Sequence, residues 1–358
     1  MKILLLGEFS GFFKNLKIGF EELGCDVTLI AQGDGWKNID GIDFSLDSKL
    51  KKPFKGIHIA FNYFKNLKHM KEYDIVLVIN PSFFKKVIGN IILKYLTKHN
   101  KNIFLSACGD DLEFISFGLK GGFRFWPYMG LDGKISIDRY QRNHEKNIHS
   151  NLLKYVVKII PTSTMYKMAW DNSKYREKVT NVVAMPINID EISHKPLKIL
   201  EKNKIIFFHG LSREDFKGTR YIREAMNNIQ IKYPDDVECI IEGGLPLNEY
   251  LKIIEKAHVV IDQCKAYDYN GMNTVYAMAM GKVVMGGCQP EVLKEFSIDY
   301  FPIIGIEPNS KQIEEKMEFI IENKAKIEKW GMQSRRFVEK YHDVKVVAKK
   351  YMKIFKKL

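Results

Sequence analysis

Ile205-Ile206-Phe207-Phe208-His209-Gly210-Leu211-Ser212-Arg213 opens the stretch that decides the fold, and Lys217-Gly218-Thr219 leads from it into a helical pattern. The stretch closes with Val259-Val260-Ile261-Asp262-Gln263, then Asp268-Tyr269-Asn270-Gly271-Met272-Asn273-Thr274, another helix and Lys282-Val283-Val284-Met285. Short apolar runs alternating with helical patterns predict parallel strands joined by crossover helices. In such sheets ligands bind at the strand C-termini, where loops and helix starts collect. Both loops carry what a diphosphate needs: glycine, positive charge and free backbone N–H groups.

The first helix places Ile222, Ala225, Met226 and Ile229 on one face, with Thr219 as its expected cap. Lys217 and Gly218 then stand just before a helix start, with Arg213 upstream on the same loop. Two cations beside a helix N-terminus make a diphosphate clamp; taken singly, each reads as a solvated surface charge. Between the loops, residues 237–241 predict a strand running into Glu242-Gly243-Gly244. Gly271 allows close approach of backbone to a ligand, and Gly281 stops the following helix.

Outward from this stretch, Pro186 to Asn203 has two prolines and no strong period, so a linker is expected over 187–203. The expected units are an N-terminal one over 1–186, a second over 204–334 and a basic closing helix over 335–358. The N-terminal part opens β-α-β: a strand over 2–6, a turn from Gly7 to Gly11, a short helix and a strand over 26–30. Its loop lacks the Gly-x-Gly-x-x-Gly spacing of a dinucleotide site. Strands are also expected over 74–79, 102–106, 156–163 and 181–186. Gly109-Asp110-Asp111 follows the strand over 102–106, and the acids read equally as site residues or as a helix cap. Residues 117–140 are rich in glycine and aromatics without a period, and read as a long loop over the ligand site or an irregular insertion. Residues 57–70 predict a helix with Phe54, Ile57, Phe61 and Phe64 on one face and lysines around it. That pattern fits a helix on a membrane surface and, as the ordinary reading, one packed on the core with a solvated basic face.

A chain of 358 residues exceeds one ordinary core, so two domains are expected. No apolar run nears the ~20 residues of a membrane span. The opening Met1 to Gly7 reads as a buried strand and not a signal peptide. Five scattered cysteines without ligand spacing imply reduced thiols in a cytoplasmic setting. The net charge of +13 admits nucleic acid, anionic membrane or anionic small molecules as partners. Residues 335–358 hold nine Lys or Arg against Glu339 and Asp343, a local +7. No nucleic-acid recognition module accompanies this charge, and nucleic acid is not expected as a partner.

The second half resembles the donor domain of GT-B glycosyltransferases of the large retaining, nucleotide-sugar-dependent family. The likeness covers about 100 residues. Phe207 to Gly218 resembles that family's strand, glycine turn and Lys-Gly at the next helix. Asp268 to Gly281 resembles its acidic pair and Ala-Met-Ala-x-Gly ending. Met185-Pro186-Ile187-Asn188-Ile189-Asp190 resembles its domain junction, and Phe337, His342, Asp343, Tyr351 and Phe355 its closing helix.

The resemblance implies an α/β protein of two Rossmann-like domains facing across a cleft. It implies that Gly210, Arg213, Lys217 and Asn270 to Thr274 (Asn270, Gly271, Met272, Asn273 and Thr274) bind the donor diphosphate. Asp268 falls at the first acidic position, near the donor sugar. Tyr276 replaces the Glu that holds ribose, so Glu242, Gly243 and Glu291 enter as further nucleoside candidates. Asp110 is the nearest first-domain match to a catalytic acid.

The expected activity is glycosyl transfer from a nucleotide-diphosphate sugar to a glycan, lipid-linked or protein-linked acceptor, with retention and domain closure. Asp110, Asp268, Lys217 and Arg213 are its catalytic candidates. No cofactor beyond the donor substrate and no metal is expected, since no Asp-x-Asp motif sits beside the phosphate loops. The basic segments add an anionic membrane surface as a partner, with surface-polysaccharide assembly as the setting and the inner face of the cell membrane as the location. The alternatives are an inactive transferase-like partner, given Tyr276, and a nucleotide-sugar epimerase.

Overall fold

The structure is a computed structural model and describes residues 1–33, 39–130, 140, 142–194, 204–269 and 271–357. The chain divides into two compact units. One comprises Met1–Gly122, Ile135–Pro186 and Val344–Leu358, the other Phe123–Lys134 and Ile187–Asp343.

The first unit holds a six-stranded parallel sheet in the order β3-β2-β1-β4-β5-β6. Its strands are β1 Lys2–Leu6, β2 Asp26–Ala31, β3 Phe44–Ser45, β4 Ile75–Val78, β5 Asn102–Ala107 and β6 Val156–Pro161. Every residue of β4, and all but Lys2 of β1, is buried, as expected of central strands covered on both faces. The chain order reverses between β1 and β4, so the strand ends there open a crevice. A pocket of about 330 Å3 lies at that place, lined by residues including Gly7, Glu8, Gln32, Tyr63 and Ile79.

The second unit holds a five-stranded parallel sheet, β11-β10-β9-β7-β8. Its strands are β7 Ile205–Leu211, β8 Val237–Gly243, β9 Val259–Ile261, β10 Val283–Gly286 and β11 Ile304–Gly305. Phe207, Val259, Ile261 and Met285 from the sheet meet Ile222, Met226 and Ile229 of the helix Thr219–Lys232 in one core. The switch in strand order falls between β7 and β9, so their C-terminal ends are where loops converge.

Three expectations change. Residues 181–186 do not form a strand; hydrogen bonds from Thr180 and Val183 to Ile159 and Pro161 lay them beside β6 without a ladder. The basic closing helix is two helices. Ile327–Tyr341 lies in the second unit and ends where the amides of His342 and Asp343 both return to the Val338 carbonyl. Val344–Phe355 lies in the first unit and packs on the helix Phe12–Glu22. A Cβ on Gly19 would stand 2.4 Å from the Val344 carbonyl oxygen, so that contact requires glycine. Finally, the helix Lys55–Asn66 turns its apolar face outward: only Tyr63 and Asn66 are buried.

Residues 187–194, expected as linker, lie in the second unit. Ile187 donates to the His342 carbonyl, and Arg335 donates to the carbonyl of Ile192. Part of the expected linker, 195–203, is outside the described residues. So is part of the expected long loop, whose residues 123–130 cluster with the second unit.

Candidate functional site

β7 carries His209 into the interior of the second unit, beside Ile261 of β9. The imidazole Nδ1–H donates to the Ile261 carbonyl at 2.8 Å, and Nε2 accepts from the Thr219 hydroxyl at 2.9 Å. Burial, and after it the Lys217 charge, pushes His209 down to about 4, so the ring is neutral near pH 7. It ties β7 and β9 to the start of the helix Thr219–Lys232. Thr219 was expected to cap that helix. Instead its hydroxyl serves His209, and Gly218 holds the cap position at φ 76° with no side-chain bond. A Cβ on Gly218 would lie 2.5 Å from Cys264 Sγ, so sterics and backbone both call for glycine.

Lys217 precedes this corner and is buried. Its ammonium donates to the Gly210 carbonyl at 3.0 Å and to Asp262 Oδ1 at 2.8 Å. Asp262, just past β9, also accepts from Asn273 Nδ2 and the Thr274 hydroxyl, each at 2.8 Å. The Tyr250 hydroxyl donates to Asn273 Oδ1 at 2.7 Å. Burial alone would raise the Asp262 carboxyl; Lys217 and the donated hydrogen bonds outweigh it and hold the group below its ordinary value. Gly210 is required because a Cβ there would stand 1.8 Å from the Tyr250 hydroxyl.

The two loops singled out in the sequence therefore meet on one carboxylate. The helix Met272–Ala279 begins beside it. Its cap, Gly271, carries no side-chain bond, and a Cβ there would stand 3.2 Å from Asp262 Oδ2. An uncapped start leaves its first amides for a ligand or solvent.

The remaining site candidates are distributed differently. Arg213 lies one turn before Lys217, and its carbonyl accepts from the Lys217 amide at 2.9 Å. Its guanidinium lies 3.7 Å from the Phe216 ring centroid and donates to the Tyr128 hydroxyl at 2.8 Å. Asp268, Met272 and Tyr276 are buried, Tyr276 within the Met272–Ala279 helix. Glu242 is exposed at the end of β8, level with Gly210 in the register, and its carboxylate accepts from the Gly243 amide at 3.2 Å. Asn270 lies outside the described residues. A pocket of about 400 Å3 opens beside Gly218, lined by Arg220, Arg223, Glu224 and Lys265 among others. It does not include Lys217 or Asp262.

Asp110 belongs to the first unit, in the turn after β5. Asn80 Nδ2 donates to the carbonyls of Cys108 and Asp110 at 2.9 and 3.2 Å and fixes that turn. Its neighbour Asp111 is a helix cap: its carboxylate accepts from the Phe114 amide at 2.8 Å and from Trp170 Nε1 at 3.1 Å. Burial pushes Asp111 up to about 6 despite these bonds and the nearby His149. A carboxyl raised on folding stabilises fully below its ordinary value, and that contribution is lost as pH rises through about 6. Stability is therefore expected to decline between about pH 4 and pH 6, on the order of 3 kcal/mol from this group. Asp111→Asn keeps the cap acceptor and removes the titration. Denaturation midpoints across that range check the flattening.

The residue missed in the sequence is Asp262. Its signal was present, a carboxylate directly after a parallel strand, but its partners are far away in the chain.

No family model and no curated protein matches the chain. Solved structures do. Anabaena HepE in complex with UDP and glucose aligns over 100% of both chains with TM-score 0.66 and 12% identity. Sucrose-phosphate synthase from Thermosynechococcus elongatus aligns over 100% of this chain and 99% of its own, with TM-score 0.67 and 13% identity. The chain has the GT-B fold. UDP-GlcNAc 2-epimerase from Neisseria meningitidis shares the GT-B architecture over 100% of both chains, with TM-score 0.56 and 14% identity. Within the GT-B frame, the Lys217–Asp262 network stands at the strand ends of the second Rossmann-like unit.

Proposed function

We propose that this protein is a glycosyltransferase whose second unit binds a nucleotide-diphosphate sugar at the Lys217–Asp262 network. The observation that carries this is the meeting of a buried lysine with an uncapped helix start, where the strand order switches. Among the described residues two of the three ammonium N–H groups are used, by Gly210 and Asp262, and the third serves the diphosphate. The first amides of the Met272–Ala279 helix, with Asn270 to Thr274, complete the cradle.

Asp262 balances the lysine charge in the resting site and fixes where the ammonium points. Arg213, its plane steadied by Phe216, supplies the second cation. As the glycosyl bond breaks, negative charge develops on the departing diphosphate, and donors already in place stabilise it. Asp268 serves the donor sugar, Glu242, Gly243 and Tyr276 the nucleoside, and Asp110 the acceptor side. Retention at the sugar carbon, a glycan or lipid-linked acceptor, and transfer without metal or cofactor complete the reading. The UDP, glucose and UDP-glucose held by Anabaena HepE support a uridine donor.

A panel of nucleotide sugars in a thermal-shift screen is expected to raise the melting midpoint for the true donor, by binding to the native state alone. No shift with any member of the panel would contradict the reading. The epimerase alternative rests on the shared fold with the Neisseria enzyme. It predicts a C2 epimer from UDP-GlcNAc alone, whereas a transferase releases nucleoside diphosphate only with acceptor or water.

A further inference from the structure

The helix Lys55–Asn66 is amphipathic, yet it presents its apolar side to solvent. Ile57 is 71% exposed, Phe54 64% and Phe61 59%, with Phe64 and Leu50 also exposed. At 100° per residue Phe54, Ile57, Phe61 and Phe64 fall on one side, and Tyr63 and Asn66 on the other. The inward side is anchored: the Tyr63 hydroxyl donates to the Phe83 carbonyl at 2.7 Å, and the Tyr63 ring packs against Phe83. The outward side therefore does not result from a loosely placed helix.

Its own stretch of chain is one-signed, with Asp47 and Glu72 standing just outside it. Ser48 to Lys71 contains seven lysines and no Asp or Glu. All seven, Lys49, Lys51, Lys52, Lys55, Lys65, Lys68 and Lys71, are exposed. A soluble helix normally turns such an apolar stripe to the core, and contiguous exposed apolar side chains mark an interaction surface. Large apolar side chains ringed by lysine match the boundary between acyl chains and anionic headgroups. Nucleic acid would use the lysines and leave the phenylalanines without a role. Among the described residues no helix is long and apolar enough to cross a membrane, so the contact lies in the plane of the surface.

We infer that the Lys55–Asn66 helix docks the first unit on an anionic lipid bilayer, with Phe54, Ile57, Phe61 and Phe64 inserted and the lysines at the headgroups. This goes beyond the nucleotide reading and does not depend on it.

The test is sedimentation of the full chain with phosphatidylglycerol-rich and pure phosphatidylcholine vesicles, without nucleotide. Binding to the first, weakened by salt, and little to the second is expected. Ile57→Ser with Phe61→Ser should lower affinity at least about tenfold while leaving the melting midpoint unchanged, since both side chains are exposed. Each of Lys51→Gln, Lys52→Gln and Lys68→Gln should lower it about fivefold. Phe61→Trp should show a blue shift on vesicles and quenching by brominated acyl chains. Absence of vesicle binding would overturn the proposal. So would vesicle binding that the double serine variant retains. A lipid-free dimer that the serine variant dissolves would assign the face to a second copy instead. An equal affinity of both forms for RNA and vesicles would assign it to charge alone.

Discussion

Lys217→Met is expected to lower stability by about 3–5 kcal/mol, and adding Asp262→Asn should restore most of it. The reason is asymmetric desolvation. Lys217 and Asp262 are both buried and 2.8 Å apart. Removing the ammonium strands a carboxylate where water cannot reach it, and a buried unpaired charge is far worse than no charge. In the double variant the amide oxygen at 262 still accepts from Thr274 or Asn273, so the loop junction survives. A double-mutant cycle from denaturant unfolding measures the coupling. Near-additive effects would show that the pair does not act as a unit.

The pH dependence has a definite sign. A carboxyl lowered on folding contributes stability above its ordinary value, and loses it as pH falls through the lowered one. Acid should therefore weaken the wild type more than the double variant in that window.

Trp170→Ala is the second large effect, expected at about 3–5 kcal/mol from cavity formation alone. Trp170 is fully buried in the first unit. Its ring stacks on His149 with centroids 5.7 Å apart, and its Nε1–H serves Asp111 at 3.1 Å. Loss of that donor leaves a buried acceptor short of one partner and adds about 1–3 kcal/mol. Trp170→Phe separates the terms: it keeps most of the packing and loses only the hydrogen bond. Circular dichroism against denaturant reads both. An alanine variant within about 1 kcal/mol of wild type would mean that the site collapses without penalty.

The parallel strands were legible because burial on both faces writes them as unbroken apolar runs, as in β1, β4 and β9. The two-residue edge strands β3 and β11 were not, since such short pairings leave no pattern. Residues 181–186 carried a strand-like run but run beside β6 without a ladder. The loops around Lys217 and Gly271 stood out by glycine and charge. Their junction did not, because Lys217 and Asp262 are 45 residues apart in sequence. Arg213 could not be placed from sequence, since its partners Tyr128 and Phe216 are set by tertiary packing. The helix Lys55–Asn66 shows the sharpest limit: periodicity says which residues share a side, not which way that side faces.

The central claim is that the Lys217 ammonium grips a donor diphosphate. It is tested most directly by calorimetric titration of UDP-glucose into wild type and into the folded Lys217→Met/Asp262→Asn protein. One charge-assisted hydrogen bond is worth about 1.5–3 kcal/mol, so affinity should fall at least about tenfold. Equal affinity in the two proteins would contradict the account.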